Sequence, residues 1–186
     1  MSVLFKHSLP ALVALMAGCA PAYNWREVRP ADPAVAVMLP GKPSSLTQRV
    51  RLDGLDLPMS MTGAQAEGIA FTVACAALPA AQADAATRER VLAAMRSGMT
   101  RNIAGTEERA EPVEVSLVDA AGVARGRATG LRVVVNGTVK ARPTRLLAVF
   151  VGEGARACQA VAVGEALPDE QARQFTDSLR LIVAAG

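Results

Sequence analysis

The stretch Met1 to Cys19, MSVLFKHSLPALVALMAGC, constrains the fold of this chain most, because its pattern marks it for removal before folding. Lys6 and His7 make a short polar start, Leu9 to Met16 is an apolar run, and Ala17-Gly18 presents two small residues just before a cysteine. That is the layout of a secretory signal peptide. Leu15-Met16-Ala17-Gly18-Cys19 further resembles the bacterial lipobox, whose cysteine is lipidated on sulfur and becomes the mature N-terminus. The apolar run is far short of the roughly 20 residues that cross a bilayer, and Pro10 interrupts it. We therefore expect a signal peptide over 1–18 and a lipid (palmitate) anchor on Cys19. Each buried methylene of an acyl chain contributes about 0.8 kcal/mol, and two or more chains give stable anchoring. Ala20, rather than Asp, after the cysteine favours the outer membrane of a Gram-negative cell, with the domain facing the periplasm.

Taking 18 residues from 186 leaves 168, the size of one domain with one substantial core. The expected organisation is a tether over 19–24 and a single domain over 25–186. Losing Lys6 leaves 19 Lys plus Arg against 17 Asp plus Glu, scattered and not interleaved with aromatics, so nucleic-acid binding is not indicated. His7 is the single histidine and falls in the expected signal peptide. The mature domain then lacks Ser-His-Asp and Cys-His catalysis, His-ligated zinc and histidine acid–base chemistry. Tyr23, Trp25, Phe71, Phe150 and Phe175 are too few to suggest a sugar-stacking groove.

With Cys19 taken by lipid, Cys75 and Cys158 remain as an even pair in an oxidising compartment. Such a pair most often forms a disulfide. Two buried free thiols, or a chemically active pair, are the alternatives; no CxxC spacing or nearby histidine supports the last.

Val35 to Leu39 reads as a strand closed by Pro40, and Pro40-Gly41-Lys42-Pro43-Ser44-Ser45 as a turn. Its Gly-Lys lacks the GxxxxGK[ST] frame, so it is no phosphate loop, and no metal or cofactor pattern occurs elsewhere. Thr47 to Leu52 and Leu57 to Thr62 alternate around Asp53-Gly54, a hairpin signature. Ile69 to Leu78 is a more uniformly apolar central strand, with Phe71, Val73 and Cys75 on one face. Asp84 caps a helix predicted to run to about Ile103 with Gly105 as its stop, and Val91, Met95 and Met99 form its core stripe, widened by Leu92 and Ile103. Apolar runs at Val113 to Val118, Leu131 to Val135 and Leu146 to Val151 predict strands. Their turns are placed at Asn136-Gly137 and Gly152-Glu153-Gly154, and Ala157 to Val163 makes the last strand. A terminal helix begins at Leu167-Pro168-Asp169-Glu170, with Phe175, Leu179 and Ile182 on one side. The expected class is α+β: one antiparallel sheet of about six to eight strands packed with one long helix and a C-terminal helix.

This order of pieces resembles the PsbP-like superfamily, which includes PsbP and DcrB. The resemblance spans nearly the whole mature chain. It rests on Trp25-Arg26-Glu27-Val28, the strand ending Leu39-Pro40-Gly41-Lys42-Pro43, a hairpin, Leu78-Pro79, one long helix, a meander and Phe175-Thr176-Asp177-Ser178-Leu179-Arg180-Leu181. It implies an αβα sandwich and a small binding or assembly module with no catalytic motif to carry over. Cys75 and Cys158 stand where such proteins commonly carry bulky aromatics, and a paired replacement of that kind implies that the two positions touch.

The function expected from these observations is a membrane-anchored, non-enzymatic envelope lipoprotein that binds another envelope protein or supports an assembly, without cofactor, metal or nucleic acid. A carrier or sensor of a small apolar ligand is the alternative, drawn from the Ala- and Val-rich strands. An enzyme would have to use carboxylates such as Asp119, Glu114 or Glu111.

Overall fold

The computed structural model describes residues 22–184; the expected signal peptide 1–18, the lipidation site Cys19 and the neighbouring Ala20 lie outside the described residues. The chain runs β1 (Arg26–Val28), β2 (Val35–Leu39), β3 (Ser44–Leu52), β4 (Leu55–Ala66), β5 (Ile69–Ala77), α1 (Ala85–Asn102), β6 (Thr106–Val118), β7 (Ala124–Val139), β8 (Arg142–Glu153), β9 (Arg156–Gly164), α2 (Asp169–Asp177) and β10 (Arg180–Ile182). The strands form one sheet in the order β1-β2-β10-β6-β7-β8-β9-β5-β4-β3. This corrects the expected class. The sheet has ten strands instead of six to eight, and it is mixed, because β10 runs parallel to β6. The molecule is mostly β, not an αβα sandwich around a smaller antiparallel sheet.

The physical reason lies in short strands. β1 and β10 have three residues each, too few to leave an alternating pattern. The expected terminal helix absorbed β10, whereas α2 ends at Asp177 and Leu179 and Ile182 lie beyond it. Ser178 marks the break: its hydroxyl donates to the Phe175 carbonyl at 2.6 Å and accepts the Met38 amide at 2.8 Å.

Turn chemistry decides the hairpins. Asp53 and Gly54 take φ of +49° and +78° between the paired residues Leu52 and Leu55, a type I′ turn. The expected turn at Asn136-Gly137 lies inside β7, and the chain turns at Lys140-Ala141, with φ of +51° and +63°. Gly137 is required there by close packing. A Cβ on it would sit 2.2 Å from the Ile103 carbonyl oxygen, where the chain leaving α1 meets the sheet. The second expected turn shifts to Gly154-Ala155, since Glu153 already pairs with Arg156.

The alternation of β5 feeds two cores. Phe71, Val73 and Cys75 join Val35, Val37, Leu39, Leu147, Val149, Phe175 and Leu181 on one face. The sheet curls there, so that α2 touches β2, β8 and β9 together. Arg156 closes the curl, donating to the carbonyls of Ala34 and Ile182 at 2.8 Å each. On the other face Ala74 and Ala76 meet Leu57, Met59, Ala148, Phe150 and Val161 under Val91 and Met95 of α1. Asp84 caps α1, accepting from the Thr87 amide at 2.8 Å, and this hydrogen bonding holds its carboxyl below the usual range. Ala104, at φ +44°, ends the helix in place of Gly105. Beneath α1, Gln159 is buried and its Oε1 has no partner among the described residues.

Candidate functional site

The corner of the sheet formed by β3, β4 and the start of β5 is left bare. β3 is the last strand of the sheet, nine residues long, and Ser44 to Arg49 are all exposed along it. Leu52 and Leu55 flank a two-residue turn and so form a hydrogen-bonded pair. Antiparallel pairs alternate. Leu52, Val50, Gln48, Leu46 and Ser44 therefore spend their backbone groups on β4, while Arg51, Arg49, Thr47 and Ser45 point theirs outward. Pro58, which has no N–H, stands opposite Arg49, in one of the pairs that do not hydrogen-bond.

Side chains at this edge divide by face. Ser45 and Thr47 lie on the α2 side, where their hydroxyls meet Thr62 at 2.8 Å and Ser60 at 3.0 Å; Ser60 also donates to Asp32. Leu46 lies on the α1 side and is 57% exposed, the most exposed large apolar residue of the described chain. α1 covers only the far end of β3, where Arg90 bonds Asp53 at 2.9 Å and Val50 and Leu52 are half-buried. A groove of about 320 Å³ opens at the other end of β3, beyond the helix's cover, lined by Leu46, Met61, Gly63, Ala70, Thr72 and Lys42. Its floor is low because Gly63 carries no side chain; a Cβ there would lie 2.6 Å from the Phe71 carbonyl oxygen. Arg49 pairs with Asp56 at 2.8 Å, whereas Lys42 and Arg51 have no acidic partner among the described residues.

The chain enters the domain at the same end. Tyr23 stacks on Trp25 with centroids 5.8 Å apart, Trp25 meets Phe71 edge-on at 5.5 Å, and Phe71 meets Phe175 at 5.5 Å. Burial, then the charge of Glu67, raises the Tyr23 phenol above its ordinary value. The Asn24 amide bonds the Pro40 carbonyl at 2.9 Å, two residues before Lys42.

Other residues singled out from the sequence take structural places. Cys75 and Cys158 are directly opposed on β5 and β9 and form a disulfide, with Cα atoms 4.0 Å apart. The three acids proposed for an enzyme are tied to separate partners. Asp119 accepts from the Val123 amide at 2.9 Å and pairs with Arg125, and those bonds, the amide first, lower its carboxyl. Glu114 accepts from Thr129 at 2.9 Å, and Glu111 faces Arg132 at 3.5 Å. With odd spacing on one strand, Glu111 and Glu114 point to opposite faces. Among the described residues no group of three or more His, Cys, Asp or Glu gathers to hold a metal ion, and no helix is long and apolar enough to cross a membrane.

The bare edge of β3 was missed from the sequence, because a strand's place in a sheet is decided by partners elsewhere in the chain. Leu46, just outside the alternating stretch Thr47 to Leu52, was the one available signal.

No protein-family model and no curated protein matches this chain. Solved structures that match include PA94, a Pseudomonas aeruginosa protein of unknown function, 13% identical, covering 87% of this chain and 99% of that chain with a TM-score of 0.41. A likeness of that degree carries no functional argument.

Proposed function

We propose that this chain is a lipid-tethered, non-enzymatic module of the bacterial envelope that binds another protein, held through Cys19 in the outer membrane and facing the periplasm. The observation that carries the binding role is the bare corner: a nine-residue edge strand with outward backbone groups beside an uncovered groove. Natural sheets blunt or cover such edges, so a long open one marks a place for another strand. The lipobox supplies the tether. A photo-reactive amino acid placed at Leu46 in the full chain should cross-link to one membrane-associated protein in cells. Cys19→Ala should leave precursor or soluble protein and abolish that cross-link. A variant processed normally and still firmly in the membrane fraction would sink the tether, and a photo-reactive chain with Cys19 intact that cross-links to nothing would sink the binding role.

An apolar-ligand carrier is the second reading, favoured by a groove of about 320 Å³ between α1 and β7–β8, lined by Leu92, Leu131 and Phe150. A small molecule retained in native mass spectra of the purified chain would favour it.

A further inference from the structure

We infer that the bare corner takes an extended, acidic segment of the partner, added antiparallel to β3 as an eleventh strand, with one apolar side chain lying on Leu46. This rests on the binding role proposed above and names the chemistry of what binds. Three features converge on it. The outward N–H and C=O groups of Ser45, Thr47, Arg49 and Arg51 offer a ladder that only an extended backbone can complete, and such a ladder supplies affinity whatever the side chains. The strand added beside β3 must place alternate side chains on the α1 face, next to Leu46, where the groove floor of Gly63, Ala70 and Thr72 leaves room. Specificity then comes from that single pocket.

Charge selects the partner's sign. Arg49 and Arg51 project from the outward-pointing positions, and Lys42 stands at the strand's entry. Asp56 answers Arg49 alone, so the edge keeps the two unmatched cations Lys42 and Arg51 among the described residues. Opposite charges across neighbouring strands stabilise the pair, and like charges destabilise it. An Asp- or Glu-bearing segment is favoured on this edge and a Lys- or Arg-bearing one disfavoured. The same cations make a second copy of β3 a poor occupant, since antiparallel self-pairing brings two sets of arginines to one seam.

The test uses the full chain purified in detergent and a fluorescent nonapeptide of alternating Glu and Thr with a central Leu. A matched peptide carries Lys in place of Glu. Binding of the Glu peptide, read by anisotropy, is expected to weaken as salt is raised, and the Lys peptide should bind at least about tenfold more weakly. Thr47→Pro removes one outward N–H and leaves the backbone bonds to β4, and it should weaken the Glu peptide by about tenfold or more relative to Thr47→Val, which loses only the hydroxyl contact with Ser60. Leu46→Ser should weaken it severalfold. Arg51→Glu changes no backbone group, so it tests the charge selection even if the proline variant fails to fold, and it should abolish most of the preference between the two peptides. Undetectable binding of the Glu peptide, equal binding of both peptides, or binding untouched by Thr47→Pro in a folded protein would overturn the inference. So would a dimer in sedimentation that Thr47→Pro dissolves, because the occupant is then a second copy. Peptide binding in detergent needs no tether, so its failure leaves the fractionation of Cys19→Ala to stand or fall separately.

Discussion

On the inner face of the curl, Phe71 meets Phe175 edge-on, Cys75 is joined to Cys158, and β2 and β10 are drawn over α2 by the two bonds of Arg156. On the outer face a single helix crosses the sheet, with Ala74, Ala76, Ala148 and Ala157 in the sheet beneath it, and Gln159 is left with an unpartnered oxygen, just as Arg132, beside α2, is left with an unpartnered Nε among the described residues. Grooves open beside the helix, and the Ser44 end of β3 is uncovered. Both faces are built from the same alternating strands. What separates them is the covering: the inner face is sealed by helix, strands and covalent bond, while the outer face has one helix, too narrow for the sheet beneath it. A sealed face holds the fold, and an incompletely covered face is free to present residues.

The strongest test of that contrast is the disulfide. It closes a loop with a sequence separation of 83 residues, for which the chain-entropy model gives about 4–5 kcal/mol. Replacing Cys75 and Cys158 together by Ala should lower stability in denaturant titration by an amount of that order. A loss below about 1 kcal/mol would mean that the inner face is held by packing alone. Next is Gln159→Met, which removes a buried oxygen with no partner and keeps the volume. It should raise stability by about 1 kcal/mol, since an unsatisfied buried polar atom costs about 1–3 kcal/mol. A drop in melting temperature instead would show that Gln159 is satisfied and the outer face better closed than described.

The smallest effect concerns acid. Arg96 of α1 forms a two-bond pair with Glu107 at the start of β6, and that pairing holds the Glu107 carboxyl below its ordinary 4.5. A carboxyl lowered in the folded state contributes stability above its unfolded value and loses it as the pH falls through the folded value. The pair is about a third exposed, so solvent screening holds its contribution under about 1 kcal/mol. Lowering the pH from about 5 should therefore reduce the protection factors of the α1 amides, taken against the intrinsic exchange rate at each pH, and Glu107→Gln should remove that part of the reduction. The Glu27 carboxyl, held low by Arg29 and Arg180, loosens β1 and β10 over the same range, so a Glu107→Gln effect that spread from α1 to β2 and β10 would break the comparison.

The helix α1 was legible almost to the residue, because Asp84, the Val91–Met95 stripe and the apolar-to-polar change are local signals. The hairpin at Asp53-Gly54 was legible for the same reason. Sheet order and strand count were not. Arg180-Leu181-Ile182 becomes a strand because Ser116 to Val118 lies along one side of it and Val35-Ala36 along the other, and nothing within three residues announces that. Lys140-Ala141 turns with two positive φ angles that neither residue favours, while the better turn sequence Asn136-Gly137 is held straight by its contact with the end of α1. The bare corner was illegible for a related reason. Its openness depends on the path of α1, which crosses from the Asp53 end of β3 toward β7 and leaves the Ser44 end behind, a matter of angle across the sheet and not of any residue in β3.

The aromatic contact between Tyr23, Trp25 and Phe71 has a geometric consequence for a protein held by Cys19. Tyr23 stands four positions after Cys19, with three residues between them, a leash of about 14 Å at full stretch. Because the rings clamp the near end of that leash to the core, the domain has little slack in which to roam or tumble. Asn24 and Pro40 put the Lys42 end of β3 beside the clamp, so the proposed lipid on Cys19 would confine the open corner to a thin layer above the bilayer. Partners are then sorted by height as well as by sequence, and a segment that ends far from the membrane does not meet this edge even when its chemistry fits.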